Sequence, residues 1–104
     1  MLETYEVILE GQLGQRAGTL RWTETDGRIR GTFSLLGVDN SVTGTRTGTR
    51  LELTHDLCTA VSTLQCQTEL ALEGETLSGM VQFQRGRMQI HGTKQKGEPH
   101  EISK

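Results

Sequence analysis

Apolar residues fall at every second position through most of the chain, with polar residues between them. Val7 and Leu9, Leu20 and Trp22, Phe33 and Leu35, Leu51 and Leu53, and Leu70 and Leu72 all follow this rule. A period of two is the repeat of a β-strand with one face buried and the other in water. A shorter pattern sits inside the alternation: an apolar residue, any residue, glycine, then Thr or Met. It recurs as Ile29-Arg30-Gly31-Thr32, Val42-Thr43-Gly44-Thr45, Leu77-Ser78-Gly79-Met80 and Ile90-His91-Gly92-Thr93. Each of these glycines takes a position on the buried face, where a strand bends sharply or lets a neighbour come close.

Two-residue glycine turns set the register between the runs, because loop length fixes hairpin pairing. With Asp26-Gly27 as the loop, Glu24 faces Ile29, Trp22 faces Gly31 and Leu20 faces Phe33. Leu36-Gly37 pairs Leu35 with Val38 and Gly31 with Val42. Thr47-Gly48 places Gly44 opposite Leu51 and Val42 opposite Leu53, Gly74-Glu75 places Leu72 opposite Leu77, and Arg85-Gly86 sets Phe83 against Met88. Every turn brings apolar onto apolar. The pattern predicts eight antiparallel strands near 3–9, 18–25, 28–35, 38–46, 49–55, 63–73, 76–84 and 87–95, connected in sequence order, with no helix. So many inward glycines permit the bends that closure needs, and closure removes exposed edges. The expected fold is therefore all-β: an eight-stranded, antiparallel, up-and-down (meander) β-barrel over residues 1–95, its first and last strands paired. A two-layer sandwich shares the alternation but needs longer cross-sheet connections. Residues 96–104 lose the alternation, gain proline and charge, and read as a flexible C-terminal tail.

At this point the chain resembles the calycin-like barrels, the group that includes lipocalins and avidins. Gly18-Thr19-Leu20-Arg21-Trp22 is similar to their glycine-to-tryptophan opening. The resemblance implies a barrel that receives a small ligand at its open end. The chain is also similar to small bacterial barrel regulators of type III secretion, which control a partner through an acidic loop; no acidic run occurs here.

Composition narrows the function classes. Eleven Lys and Arg against thirteen Asp and Glu, of mixed sign along the chain, give no electrostatic reason to expect nucleic acid or an anionic membrane. No apolar run approaches the length of a membrane-spanning helix, and no signal-like segment opens the sequence, so a cytoplasmic location is expected. No cofactor pattern is present. His55, Cys58 and Cys66 form a His-x2-Cys-x7-Cys grouping, three soft ligands that lack a fourth unless His91 or His100 reaches in. Cys58 and Cys66 are close enough in sequence for a disulfide, which their differing parity would allow only through a bulge or loop excursion, and a reduced pair suits a cytosolic chain.

Meander order collects two longer loops, near 10–17 and 56–62, at one end of the barrel. Strand parity turns Asn40 and His55 inward there, opposite each other, with Arg85 at the rim and Cys66 and Thr68 on the neighbouring face. Asn40, His55 and Arg85 are accordingly the expected ligand contacts, although polar residues are also found wherever a strand leaves a core. The leading expectation is a non-enzymatic binding or regulatory barrel, holding a small molecule at that mouth or a protein partner or second copy on its outer face. The competing one is a small enzyme that uses His55 and Cys66. The Thr- and Arg-rich outer face, with a cationic stripe of Arg21, Arg28 and Arg30, offers the protein-binding alternative.

Overall fold

The computed structural model describes residues 2–11, 14–58, 63–84 and 86–95. Its strands are β1 (Leu2–Gly11), β2 (Gly14–Thr25), β3 (Arg28–Leu35), β4 (Val38–Thr47), β5 (Arg50–Cys58), β6 (Thr63–Glu73), β7 (Thr76–Phe83) and β8 (Gly86–Lys94). They form one closed antiparallel barrel in sequence order. β1 seals it against β8 from Tyr5 opposite Lys94 to Glu10 opposite Gln89, as the sequence predicts. No helix occurs among the described residues. The expected tail, 96–104, lies outside them.

Three of the five turns fall where expected. Asp26-Gly27 (φ 52° and 80°) and Leu36-Gly37 (φ 55° and 79°) hold two consecutive positive φ values, the requirement of a type I′ loop whose twist matches the flanking strands. Gly74-Glu75 joins β6 to β7 with Leu72 opposite Leu77. The other two expectations are corrected. The β4–β5 loop is Gly48-Thr49, so Gly44 faces Leu53 and Val42 faces His55. Placing Thr47 first in the loop would have forced a β-branched residue to positive φ, whereas Gly48 sits there at 61° without a Cβ to clash. At the β7–β8 loop Phe83 pairs with Gly86 and Met88 with Val81. Both corrections shift the ladder by two residues, which leaves every side chain on its expected face.

The expected long loops also shrink. The β1–β2 ladder continues through Glu10–Gln15 to Gly11–Gly14, and the β5–β6 ladder continues to Cys58–Thr63, so most of 10–17 and part of 56–62 is strand.

The four repeated glycines share one environment. A Cβ on Gly31, Gly44, Gly79 or Gly92 would run into the carbonyl oxygen of Arg21, Glu52, Glu69 or Glu6, respectively, on the adjacent strand. Close approach of two backbones is what keeps these positions bare. Trp22 stands opposite Gly31, as its position in the sequence indicates, and its ring lies flat on Tyr5 with centroids 5.1 Å apart and planes 5° apart.

Inward side chains make the barrel interior apolar: Val7, Leu20, Ile29, Leu51, Leu77 and Ile90 are all essentially water-free. The end that carries the 26–27, 48–49 and 74–75 turns is closed by charge. Arg46 pairs with Glu24 at 3.1 Å, and Lys94 pairs with Glu3 at 2.8 Å. Main-chain bonds from Arg46 to Gly27, Leu72 to Thr49 and Lys94 to Glu75 tie each of those turns to a strand beyond its own hairpin. The opposite end carries the polar residues singled out above.

Candidate functional site

Asn40 is buried at that opposite end, and its amide is engaged on both sides. Nδ2 donates to the Phe33 carbonyl at 3.1 Å and lies 3.5 Å from that of Val38, while Oδ1 accepts from the Cys58 amide at 3.1 Å. It thus ties β4 to β3 and to the last residue of β5. Asn40 and His55 are not cross-strand partners, contrary to the sequence reading, because the β4–β5 ladder is shifted by two: His55 faces Val42 on one side and Cys66 on the other.

His55 is buried and uses both ring nitrogens. Nε2 is 2.6 Å from the Thr68 hydroxyl and Nδ1 is 3.3 Å from the Asp56 carbonyl oxygen. A carbonyl only accepts, so Nδ1 carries the proton and the Thr68 hydroxyl donates to Nε2. Burial holds the His55 pKa below the ordinary histidine value, with the Asp56 carbonyl and carboxylate acting against it. The ring is therefore neutral at pH 7. It meets Phe33 edge-on, with centroids 5.5 Å apart and planes 66° apart.

Cys66 is buried beside His55, and desolvation pushes its thiol up to about 11. A nucleophilic cysteine needs the opposite shift, and no carboxylate of a described residue orients the imidazole, since the Asp56 side chain is on the outer face. Cys58 faces the other way, with the Thr63 hydroxyl 3.8 Å from its sulfur, and both thiols are free. Arg85, the third expected ligand contact, lies outside the described residues.

Three features escaped sequence reasoning. Thr68 was visible as an inward residue, but its bond to His55 depends on the β5–β6 register. The Trp22 Nε1–H is buried without a partner, the only such side-chain polar atom among the described residues, and no local pattern announces it. The outer wall of β5, β6 and β7 is concave, with a depression of about 490 Å³ whose walls include Thr54, Asp56, Gln65, Gln67, Gln82 and Gln84. Its signal in the sequence is the pair of Gln-x-Gln segments at 65–67 and 82–84. A second hollow, about 290 Å³, continues it toward β4.

No protein-family model and no curated protein matches the chain. Among solved structures it is similar to a redesigned β-barrel, mFAP1, bound to DFHBI, with a TM-score of 0.65 and 13% sequence identity over 89% of this chain and 92% of that one. A likeness at that identity establishes the eight-stranded barrel fold and nothing finer.

Proposed function

We propose that the protein is a non-enzymatic, calycin-like binding barrel that takes a small hydrogen-bonding molecule at the end carrying the Leu36-Gly37 turn, with Asn40, His55 and Arg85 as its polar contacts. The observation that carries this reading is the buried His55–Thr68 pair set against Phe33. It puts a neutral imidazole and a hydroxyl at one end of an otherwise apolar interior, the combination of apolar wall and few placed polar groups that small-molecule sites use. A neutral ring favours a ligand recognised by hydrogen bonds, and Arg85 adds the option of an anionic group. The barrel mFAP1 is bound to DFHBI, so this fold is able to hold a small molecule. The raised Cys66 thiol favours binding over catalysis, and two free thiols suit the reducing cytoplasm.

Ligand screening by NMR tests the reading. Binding should shift the His55 and Arg85 side-chain signals before those of Glu24, Arg46 or Lys94. Shifts confined to that charged end, or to Arg21, Arg28 and Arg30 on the outer wall, reject the site.

A further inference from the structure

The outer wall over β2, β3 and β4 is built on a regular plan. In each hydrogen-bonded row, an arginine stands between two threonines: Arg21 between Thr4 and Thr32, Arg30 between Thr23 and Thr43, and Arg28 between Thr25 and Thr45. Arg28 and Arg30 share one strand face, so their stems are about 6.6 Å apart. Elsewhere on the barrel Arg46 has Glu24, Arg50 has Glu69 at 3.8 Å, and Lys94 has Glu3. Arg21, Arg28 and Arg30 have neither an ion pair nor a side-chain hydrogen bond to any described residue. Three unpaired guanidinium groups on one wall of a chain with net charge −2 is a segregation of charge, not an excess of it.

The counter-charge lies on the adjoining wall and in the same row. Thr25–Arg28–Thr45 continues as Glu52 on β5 and Glu69 on β6. Glu52 and Glu69 stand directly opposite each other, an arrangement of like charges that costs stability unless a cation answers it. Arg50 reaches Glu69 only at long range, and Glu52 has no partner among the described residues. Both carboxylates edge the hollow of about 290 Å³, whose walls also include Thr45, Thr54, Gln67 and Gln82. Carboxylates flanked by amides and hydroxyls suit a guanidinium, which is planar and rich in donors.

We infer that this wall recognises a second copy of the same chain, through a two-fold axis lying along β4 in the plane of contact. Such an axis sets β3 of each molecule over β5 of the other, row on row. Thr45 meets Thr45, Arg28 comes over Glu52 of the second copy, and Arg30 comes over its Thr54 and the hollow beside it. Every contact off the axis occurs twice, as a two-fold interface requires. Arginine is the residue for the task, because its long side chain reaches into the hollow on the facing wall, where Glu52 and Glu69 stand. The absence of exposed aromatic residues from these rows argues against single-stranded nucleic acid, which needs stacking platforms. The contact is independent of the ligand site at the barrel end.

Charge reversal tests it on the full chain. Sedimentation velocity should find a dimer at low ionic strength that dissociates as salt is raised. Arg28→Glu with Arg30→Glu makes both patches acidic, and Glu52→Arg with Glu69→Arg makes both basic. Each altered chain alone should be monomeric, with dimerisation weakened by ~100-fold or more because each lost pair counts twice. An equimolar mixture of the two should recover a heterodimer. Circular dichroism checks that both chains fold; should one fail, Arg28→Gln with Arg30→Gln and Glu52→Gln with Glu69→Gln replace them, and each must weaken the dimer. A monomeric wild type at high concentration and low salt overturns the inference, even if an acidic protein binds the arginines instead. So does a dimer that survives reversal, or a mixture that stays monomeric.

Discussion

Replacing Gly31 with alanine adds a single methyl group at a place where the β2 backbone crowds β3. That methyl would overlap the Arg21 carbonyl oxygen and stand 2.8 Å from the Trp22 Cα. Both obstacles are backbone, so no rotamer change relieves them; the strands must part beside the Tyr5–Trp22 stack. Overpacking of this kind costs up to about 3 kcal/mol. A ladder hydrogen bond lost in the parting adds about 1 kcal/mol, and alanine returns about 0.4–1 kcal/mol by narrowing the unfolded ensemble. The expected net cost is about 3 kcal/mol. Gly37→Ala is the matched control: nothing lies within 4 Å of its Cβ, but its φ of 79° is left-handed, which costs about 1–2 kcal/mol for a residue with a Cβ and, less the same unfolded-state return, leaves a net cost of about 1 kcal/mol. Urea unfolding should therefore separate the two variants by about 2 kcal/mol with unchanged m. In melting temperature that gap is roughly 8–16 °C for a domain of this size. Should Gly31→Ala cost no more than Gly37→Ala, the close approach of β2 and β3 is wrong.

Three further outcomes are expected. Leu36 holds φ 55° while 61% exposed, so Leu36→Asn should raise stability by about 0.5–1 kcal/mol in urea, asparagine being at ease in that region. A thiol reagent at pH 8 should modify Cys58 in the folded protein and reach Cys66 only on unfolding, given burial of Cys66 and its pKa of about 11. The folded His55 pKa lies below the unfolded value of about 6.5, so the unfolded chain takes up the proton first. The stability that a neutral His55 supports is complete above about pH 6.5 and declines as pH falls below it. In His55→Gln that part of the pH slope, measured by urea midpoints, should vanish; an unchanged slope assigns it to another group.

Side-chain alternation alone carries most of this fold, because a buried face tolerates no slip of one residue. Trp22 opposite Gly31 and Tyr5 near the closing seam follow from parity and turn chemistry, and both are observed. A slip of two is different: it returns every residue to its own face, so the apolar match that located Asp26-Gly27 was blind to the error at Thr47-Gly48. The reluctance of threonine to take positive φ was the one local clue. The candidate site inherits that blindness. Asn40 and His55 are correctly inward, yet which atom each one meets depends on register, and the true register gives Asn40 to backbone and His55 to Thr68. The concave outer wall depends on the curvature of three strands together, which no single segment encodes.

Pairing β1 with β8 has a temporal consequence. Tyr5 and its neighbours acquire their second partner only once residues 89–94 exist. At a synthesis rate of about 5–20 residues per second, the first strand waits roughly 4–17 s for the last. Through that interval the growing sheet has an open edge on each side, both apt to pair with another chain. Closure then satisfies both edges in one event, and it joins residues 79 to 89 positions apart, the kind of contact that slows folding most. The seam is thus the last part of the barrel to form and the step at which a crowded population of nascent chains is most exposed to mispairing.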